Sequence, residues 1–397
     1  MPSHYGLHAF FKTEGIHMID YLNQQQIEWC DAHAAEALDL LRTLGKIPAP
    51  SHHEEKRAAF VQSWLEQQGL QGVHTDSALN VVCPIGVTDN NPVVVLMAHM
   101  DIVFFDTDEL LMREEDGKLY APGIGDDTAN LVALMMAAKY VAEHRPAPRI
   151  GVLIVANSCE EGLGNLKGSM QIMQDYAGRV VELISIDGGM EHIVNDAVGS
   201  HRMRVTIRAQ GGHSYGAFGN TNAIVQMAQL ITRLYEKQPP TERKTTYNVG
   251  VIEGGTTVNS ICAECSILYE YRSESRDCLA EMEAFFNQTI EETRASGVDV
   301  SVEVLGVRPC ASGVDPERLH ELTVRMASLM NGLTGRTIRV GAGSTDANSP
   351  LSQGVPAVKI GAIDGALAHT RGEWIDTASL RIGQRIALAS LLQYFYL

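Results

Sequence analysis

Short uninterrupted apolar runs, each followed by polar or acidic residues, mark several places along the chain. They cover residues 93–98, 150–155, 183–186 and, more weakly, 356–360. A run of this length is typical of a strand buried on both faces, as in a parallel sheet covered by helices. Elsewhere apolar residues recur every three or four positions, which predicts helices. These helices are expected over residues 23–44, from Ser51 to Gly69 with Glu54 as its capping-box partner, and over 128–141, 316–330 and 378–395.

The pattern changes at His201, where polar and apolar residues begin to alternate. The elements predicted from here are strands at 201–209, 247–252, 258–271 and 298–304, with helices at 220–235 and 278–295. This β-α-β-β-α-β order is that of a ferredoxin-like domain. We therefore expect an α/β fold: a doubly wound, mostly parallel sheet domain from residues 1–200 and 310–397, with an α+β domain inserted at 201–309.

Composition narrows the possible partners. The chain has 397 residues with 31 basic and 48 acidic side chains, a formal charge of −17, which disfavours binding to nucleic acid. No apolar run approaches 18 residues, so no membrane span is expected, and residues 1–17 make a poor secretion signal. The seven cysteines are an odd number without a framework spacing, so we expect reduced thiols and a cytoplasmic protein.

The residues after the apolar runs carry candidate metal ligands. The donors are His99, Glu161 and Asp187 after three of the runs, His369 nine residues past the fourth, and Asp126 on a glycine-bent loop. Because the carboxyl ends of parallel strands meet at one edge of a sheet, these side chains are expected to share one site. Two imidazoles and three carboxylates suit zinc, and also cobalt or manganese. Two ions need more ligands than five single donors supply, so Asp126 is expected to bridge them.

Two further acids are expected to assist the ligands. Asp101 lies two residues after His99 on extended backbone, where it can accept the other ring N–H and fix the histidine tautomer. Glu160 and Glu161 are adjacent, so we expect them to project differently. One can bind metal, and the other can take a proton from a water whose pKa the metal has lowered.

Motifs in both expected domains resemble those of one known family. The matching stretches are Ala98-His99-Met100-Asp101, Gly125-Asp126-Asp127, Cys159-Glu160-Glu161-Gly162, Ile186-Asp187-Gly188-Gly189, Gly211-Gly212-His213-Ser214, Gly254-Gly255-Thr256-Thr257-Val258-Asn259, Tyr271-Arg272, Gly343-Ser344-Thr345-Asp346-Ala347 and Ala368-His369-Thr370. In this order they are similar to the M20 family of dinuclear zinc metallopeptidases, which includes peptidase T, dipeptidases, aminoacylases and carboxypeptidase G2-like enzymes.

The resemblance implies a role for each metal-site residue. One metal ion would lie on His99, Asp126 and Asp187, and the second on Asp126, Glu161 and His369. Glu160 would be the general base, and Asp101 would orient His99. The doubly wound domain would then be catalytic, and the inserted domain would act as a lid and dimerisation domain.

It also implies substrate contacts. His213 would stabilise the oxyanion, often across a dimer interface in this family, and the backbone around Gly343 would line the pocket. Asn259 and Arg272 would hold the polar end of the substrate, although Arg272 has acidic neighbours with which it could pair instead. We expect a homodimer formed through strand 258–271, because this long strand could be an open edge.

Two departures from the family pattern bear on function. Thr128 occupies the place where the family usually has lysine, so local hydrogen bonding must differ. The third metal carboxylate is Asp187 and not a glutamate. An aspartate at this position resembles the aminopeptidases and dipeptidases more than the aminoacylases. We therefore expect a zinc-dependent exopeptidase acting on short peptides. The alternatives are an amidohydrolase of N-acyl amino acids and a metal-stabilised dimeric binding protein without turnover.

Overall fold

The structure is a computed structural model that describes residues 21–396. The segment assessed above as a poor secretion signal lies outside these residues. The chain divides into two compact units. The first, the sheet unit, comprises the residues up to Asp196 and from Gly313 onward, and the second, the inserted unit, comprises Ala197–Ser312. The limits expected from the sequence, 201–309, lie within the inserted unit.

Helices and strands alternate through both units. The helices among the described residues are α1 Gln24–Ala32, α2 Ala34–Leu44, α3 Glu55–Gln67, α4 Ala129–His144, α5 Lys167–Asp175, α6 Ala223–Tyr235, α7 Arg276–Ala295, α8 Pro316–Thr334, α9 Asn348–Leu351 and α10 Ser379–Leu392. The strands are β1 His74–Thr75, β2 Val81–Ile85, β3 Val93–His99, β4 Arg113–Glu115, β5 Lys118–Tyr120, β6 Ala147–Pro148, β7 Gly151–Asn157, β8 Val180–Ile186, β9 His192–Ala197, β10 Gly199–Arg208, β11 Gly212–His213, β12 Thr245–Gly254, β13 Ser260–Ile261, β14 Glu264–Ser273, β15 Asp299–Arg308, β16 Arg339–Gly343, β17 Ala357–Ile360, β18 Gly365–Ala366, β19 Trp374–Asp376 and β20 Phe395–Tyr396.

An eight-stranded sheet forms the centre of the sheet unit. Its strand order is β1-β2-β7-β3-β8-β17-β9-β16. The four strands β7, β3, β8 and β17 run parallel, whereas β2 and β9 pair antiparallel at either side. Every residue of β3 and β7 is buried. Since successive side chains of a strand face opposite sides, both faces of the sheet are covered, as the apolar runs predicted.

The candidate metal ligands and the candidate base follow the carboxyl ends of the four parallel strands. β3 ends at His99, β7 is followed three residues later by Glu160, and β8 is followed at once by Asp187. His369 comes nine residues after β17, in the turn between β18 and β19. All four ends lie at the same edge of the sheet, because the strands are parallel neighbours. This edge is where an open α/β sheet places its ligands.

The inserted unit has a four-stranded antiparallel sheet in the order β12-β14-β10-β15. Helices α6 and α7 supply apolar side chains to a separate core with these strands. With the element order β10-α6-β12-β14-α7-β15, this is the expected ferredoxin-like arrangement.

The prediction of an open edge strand at 258–271 is wrong in two respects. Residues 260–261 form β13, which pairs with β11, and β14 begins only at Glu264. β14 also lies between β12 and β10, so its hydrogen-bonding groups on both sides are occupied. The open edges of this sheet are β12 and β15.

Two further expectations in the sheet unit need correction. The helix expected over 23–44 is broken at His33 into α1 and α2. The capping box expected at Ser51 does not form, because α3 begins four residues later and has no side-chain cap. The Ser51 hydroxyl and the Glu54 carboxylate instead bond to other segments. Within residues 21–396, no helix has both the length and the apolar character needed to cross a bilayer.

Candidate metal centre and active site

The five predicted ligands meet at the carboxyl edge of the central sheet. His99, Asp126 and Asp187 form one group whose potential ligand atoms all lie within 4.8 Å of one another. Asp126, Glu161 and His369 form a second group by the same measure. The two groups share Asp126, the residue that the sequence analysis proposes as the bridging carboxylate.

Asp126 lies between the two histidines. Its Oδ1 is 3.0 Å from Nε2 of His99, and its Oδ2 is 3.2 Å from Nε2 of His369. Nε2 of His369 is also 3.1 Å from Oε1 of Glu161, an oxygen that is buried yet receives no hydrogen bond of good geometry. A carboxylate that turns one oxygen toward each imidazole has the arrangement needed to bridge two cations.

A buried glutamate holds the loop that carries Asp126. The carboxylate of Glu373, 2% exposed, accepts the main-chain N–H groups of Gly123, Gly125 and Asp126 at 2.9, 2.7 and 2.8 Å. Glu373 lies directly before β19, and the loop Ile124–Thr128 directly precedes α4. These three bonds fix the backbone from which the bridging carboxylate projects.

Asp127 and Asn130 link the strand ends at this edge through hydrogen bonds. Asp127 is fully buried, and it accepts the main-chain N–H of His99 at 3.0 Å and the Asn130 amide at 2.6 Å. Asn130 in turn accepts the N–H of Ala362 at 3.0 Å and donates to the carbonyl of Gly188 at 3.3 Å. The polar side chains at the start of α4 therefore connect the ends of β3, β8 and β17.

Asp101 acts mainly on the glutamate pair. The Nδ1 atom of His99 is closer to the main-chain carbonyl of Asp101, at 3.0 Å, than to its carboxylate, at 3.5 Å. The carboxylate itself accepts the N–H groups of Glu160 and Glu161, both at 2.9 Å, and the Ser51 hydroxyl at 2.6 Å. The histidine is oriented by the residue expected, but through a different atom, and the carboxylate fixes the turn of the two glutamates.

The two adjacent glutamates both reach the site, as their expected tasks require, and whether one binds metal while the other acts as base stays a prediction. Glu160 and Glu161 each offer a carboxylate oxygen within 4.8 Å of the other and of a His99 nitrogen. Both are nearly buried, at 7% and 5% exposure. Strict alternation of side chains holds only on extended backbone, and here Cys159 has a φ of 57°, which turns the chain immediately before the pair.

The charges within the cluster favour protonated histidines unless cations replace the protons. The carboxylates of Asp126 and Glu161, 3.2 and 3.1 Å from its Nε2, raise the pKa of His369 to about 10. Burial alone would lower the pKa of His99, but Asp127 and neighbouring carboxylates raise it well above its usual value. Burial raises the pKa of Glu161. Since metal ligands must be deprotonated, binding of divalent ions here would release protons.

The donor set fits a pair of divalent metal ions. Two imidazole nitrogens and three carboxylates are the ligands that zinc accepts in hydrolytic sites, and manganese and cobalt accept them as well. The fit rests on Asp126, whose two oxygens divide between the two groups, and on the buried Glu161 oxygen that receives no well-aligned hydrogen bond. The sequence prediction of which side chains converge at this edge agrees with this geometry.

The inserted unit brings His213 and Asn259 onto neighbouring loops. His213 pairs with Ser260 between β11 and β13, and the main-chain N–H of Ser214 donates to the Asn259 carbonyl at 2.9 Å. The N–H groups of Tyr215 and Gly216 approach Nδ1 of His213 at 3.3 Å. In the neutral ring this leaves the proton on Nε2, which is the tautomer that can donate to an oxyanion.

Arg272 and Gly343 have structural partners. The guanidinium of Arg272 makes two hydrogen bonds to the Glu270 carboxylate, at 3.0 and 2.9 Å, which is the pairing left open by the sequence. Gly343 ends β16, where a Cβ atom would meet Val194 at 3.0 Å. Close packing therefore accounts for the glycine, and the substrate contacts of both residues stay predictions.

Several residues that shape the site were missed from the sequence. Asp127 lay within a recognised motif, and its position beside Asp126 was a signal that was not used. Asn130, two residues after Thr128, has no local signal beyond being polar in an apolar helix. Glu373 and the buried Arg57 act through backbone groups distant in sequence, so only the fold reveals them.

Comparison with known proteins gives relatives of similar length and fold. An acetylornithine deacetylase from Myxococcus xanthus is 27% identical over 80% of this chain and 83% of its own. The solved structure of a tripeptidase from Staphylococcus aureus superposes with a TM-score of 0.72 at 22% identity, covering 90% of this chain and 97% of that one. A dinuclear metal-binding peptidase of family M20 from Bacillus subtilis superposes with a TM-score of 0.62 at 13% identity, covering 92% and 100%.

Fold and side-chain cluster together define a metallohydrolase with two structural units. The model of peptidase family M20/M25/M40 matches residues 95–393, so the chain belongs to that family. It is accordingly a hydrolase that acts on peptide or amide bonds.

Proposed function

We propose that the protein is a zinc-dependent exopeptidase that hydrolyses short peptides. The observation that carries this proposal is the position of Asp126, whose two carboxylate oxygens face His99 and His369 at 3.0 and 3.2 Å. With Asp187 on one side and Glu161 on the other, the two groups offer three protein ligands each. Three protein ligands per ion leave room for water and substrate.

The side chains around the pair then have separate tasks. When bound, the two cations would lower the pKa of a water molecule and polarise the substrate carbonyl. Glu160 takes the proton of the attacking water and passes it to the leaving amine nitrogen. The Asp101 carboxylate holds the Glu160 main chain at 2.9 Å and so fixes the base. His213 donates its Nε2–H to the oxyanion.

The substrate is a short peptide, with Asn259 contacting its polar end. A role for Arg272 in holding a substrate carboxylate requires that Glu270 give up its two hydrogen bonds. Two observations support peptides over acylated amino acids. An aspartate at position 187 resembles the aminopeptidase and dipeptidase members of the family, and a tripeptidase has a similar fold. The second candidate is an N-acyl-amino-acid amidohydrolase, which the 27% identity to an acetylornithine deacetylase favours.

We also propose that the protein is a homodimer and that it works in the cytoplasm. The dimer would form through the inserted unit, whose strand β12 is an open edge. All seven cysteines are free thiols, and each is buried. Free buried thiols are typical of proteins from reducing compartments.

One assay tests the proposed function. The zinc-loaded protein is offered di- and tripeptides with free ends, the same peptides blocked at either end, and N-acetyl amino acids. We expect release of an amino acid from the free peptides. The Glu160→Gln variant keeps the shape and neutralises the base, so its rate should fall by about 10²- to 10⁴-fold while its zinc content stays unchanged.

Each alternative has its own outcome. Faster hydrolysis of N-acetyl amino acids than of free peptides would replace the exopeptidase by the amidohydrolase. Zinc binding without hydrolysis of any of these compounds would leave the non-catalytic binding protein. Unchanged peptide hydrolysis by Glu160→Gln would refute Glu160 as the base.

A further inference from the structure

A buried arginine lies directly behind the proposed metal centre. Arg57 belongs to α3 and is fully buried. Arginine is almost never fully buried unless hydrogen bonds or opposite charges compensate the cost of removing it from water. Here four hydrogen bonds to surrounding oxygens compensate part of this cost.

The guanidinium joins three segments of the chain. Nη1 donates to the main-chain carbonyl of Met100 at 2.7 Å and to the hydroxyl of Thr128 at 3.2 Å. Nε and Nη2 both donate to the carbonyl of Ile47, at 3.1 and 2.6 Å. Met100 directly follows His99, and Thr128 closes the loop that carries Asp126. One side chain therefore contacts the backbone beside the first histidine and the end of the bridging loop.

Among residues 21–396 Arg57 forms no ion pair, although the carboxylates of Asp101 and Glu54 act on it electrostatically. All of its hydrogen bonds described above go to neutral oxygens. Burial lowers the pKa of Arg57 to about 10, and the carboxylates of Asp101 and Glu54 oppose that shift. The group stays charged at neutral pH. Because a nearby positive charge by itself opposes cation binding, the support that Arg57 gives to zinc comes from the backbone positions that it fixes.

Thr128, which accepts one of the Arg57 hydrogen bonds, is one of the two departures from the family pattern. It stands where the family usually has a lysine, and its hydroxyl donates to the carbonyl of Gly123 at 2.5 Å while accepting from Arg57. Because this hydroxyl is 3.2 Å from Nη1 of Arg57, we expect a longer cationic side chain at 128 to compete with the guanidinium for space.

We propose that Arg57 is a positioning residue of the metal centre. It holds the His99 and Asp126 segments at their mutual distance through its hydrogen bonds to the Met100 carbonyl and the Thr128 hydroxyl. This inference rests on the proposed function, because it assumes that the cluster binds metal ions.

The test compares zinc affinity in four proteins. These are the wild type, Arg57→Met, Thr128→Lys and the double variant. Zinc is titrated against a competing chromophoric chelator, and circular dichroism verifies that each protein is folded at the titration temperature. Arg57→Met should bind zinc about 10- to 100-fold more weakly, the range found when groups that support metal ligands are removed. The double variant should recover most of this loss, whereas Thr128→Lys alone should weaken binding, because two cations would share one buried space.

A matched control separates the local effect from a general loss of charge. Arg381 on α10 has a side chain that is 56% exposed and lies 3.7 Å from Asp31. Arg381→Met should bind zinc as the wild type does. If Arg57→Met fails to fold, Arg57→Lys takes its place: it keeps the charge but cannot reach all three acceptors, so weaker zinc binding is again expected.

The outcomes distinguish the two proposals. A folded Arg57 variant with wild-type zinc affinity would overturn the positioning role alone. A double variant that regains thermal stability but not zinc affinity would do the same, because the arginine would then serve only the fold. A wild-type protein that binds no zinc would overturn the proposed function and this inference with it.

Discussion

Asp126 differs from the other acids of the cluster because its two oxygens face different histidines. Asp187 is placed differently: its carboxylate joins only the group that contains His99. The two aspartates are therefore not equivalent as metal ligands, although each is one carboxylate among several. This difference can be measured.

Substitution of each aspartate should change zinc stoichiometry in its own way. Asp126→Ala removes the shared ligand, so bound zinc should fall from about two ions to almost none. Asp187→Ala removes a ligand from one group only, so about one ion should remain, held by the group with His369. Elemental analysis of dialysed protein gives both values. Equal zinc contents in the two variants would show that Asp126 does not bridge.

Strand ends explain why the ligands could be predicted from sequence and their supports could not. His99 and Asp187 follow runs of buried apolar residues, and parallel strands deliver such residues to one edge. Glu373 and Arg57 bind main-chain groups of distant segments, and no local pattern encodes such contacts. The mistaken edge strand at 258–271 has the same origin, because strand order within a sheet depends on pairing and not on the length of an apolar run.

The packing of β17 against the turn after β8 is a further element that sets a ligand position. Gly361 directly follows β17, and a Cβ atom there would lie 2.0 Å from the carbonyl oxygen of Gly189. Asp187 is fixed in the same turn by its N–H, which donates to the Ile360 carbonyl at 2.7 Å. The two strand ends can approach this closely only because position 361 has no side chain.

Gly361→Ala should therefore push the Asp187 turn away from β17. We expect a loss of about 1–3 kcal/mol in the free energy of unfolding, as for overpacked cores, together with weaker zinc binding. Gly189→Ala is the matched control, since its Cβ would meet only the Ile363 carbonyl at 3.7 Å, an ordinary contact. Denaturant unfolding and zinc titration of both variants test the expectation. A neutral Gly361→Ala would mean that the turn can move without cost.

The corrected strand order changes which edge of the inserted unit could pair with a second copy of the chain. β12 and β15 are the open edges of the inserted unit's sheet. β15 carries Asp299 and Glu303 among its exposed positions, and charges of this kind protect an edge from pairing. Both edges expose apolar side chains, Val251 and Ile252 on β12 and Val304 and Val307 on β15, but β12 carries a single exposed acid, Glu253, where β15 carries two. Of the two edges, β12 is the one less protected against a second copy of the chain.

A lysine on the less protected edge should separate the proposed dimer. Ile252→Lys places a charge on β12, and we expect the sedimentation coefficient to fall from that of a dimer to that of a monomer. Val304→Lys makes the same change on β15, at a side chain that is 64% exposed, and should leave the dimer intact. Because both positions are exposed, circular dichroism should show unchanged folding. The reverse result would move the interface to β15, and a monomeric wild type would refute the dimer. If the dimer separates and hydrolysis falls while zinc content is kept, the partner subunit contributes to the site, as expected for a His213 that acts across the interface.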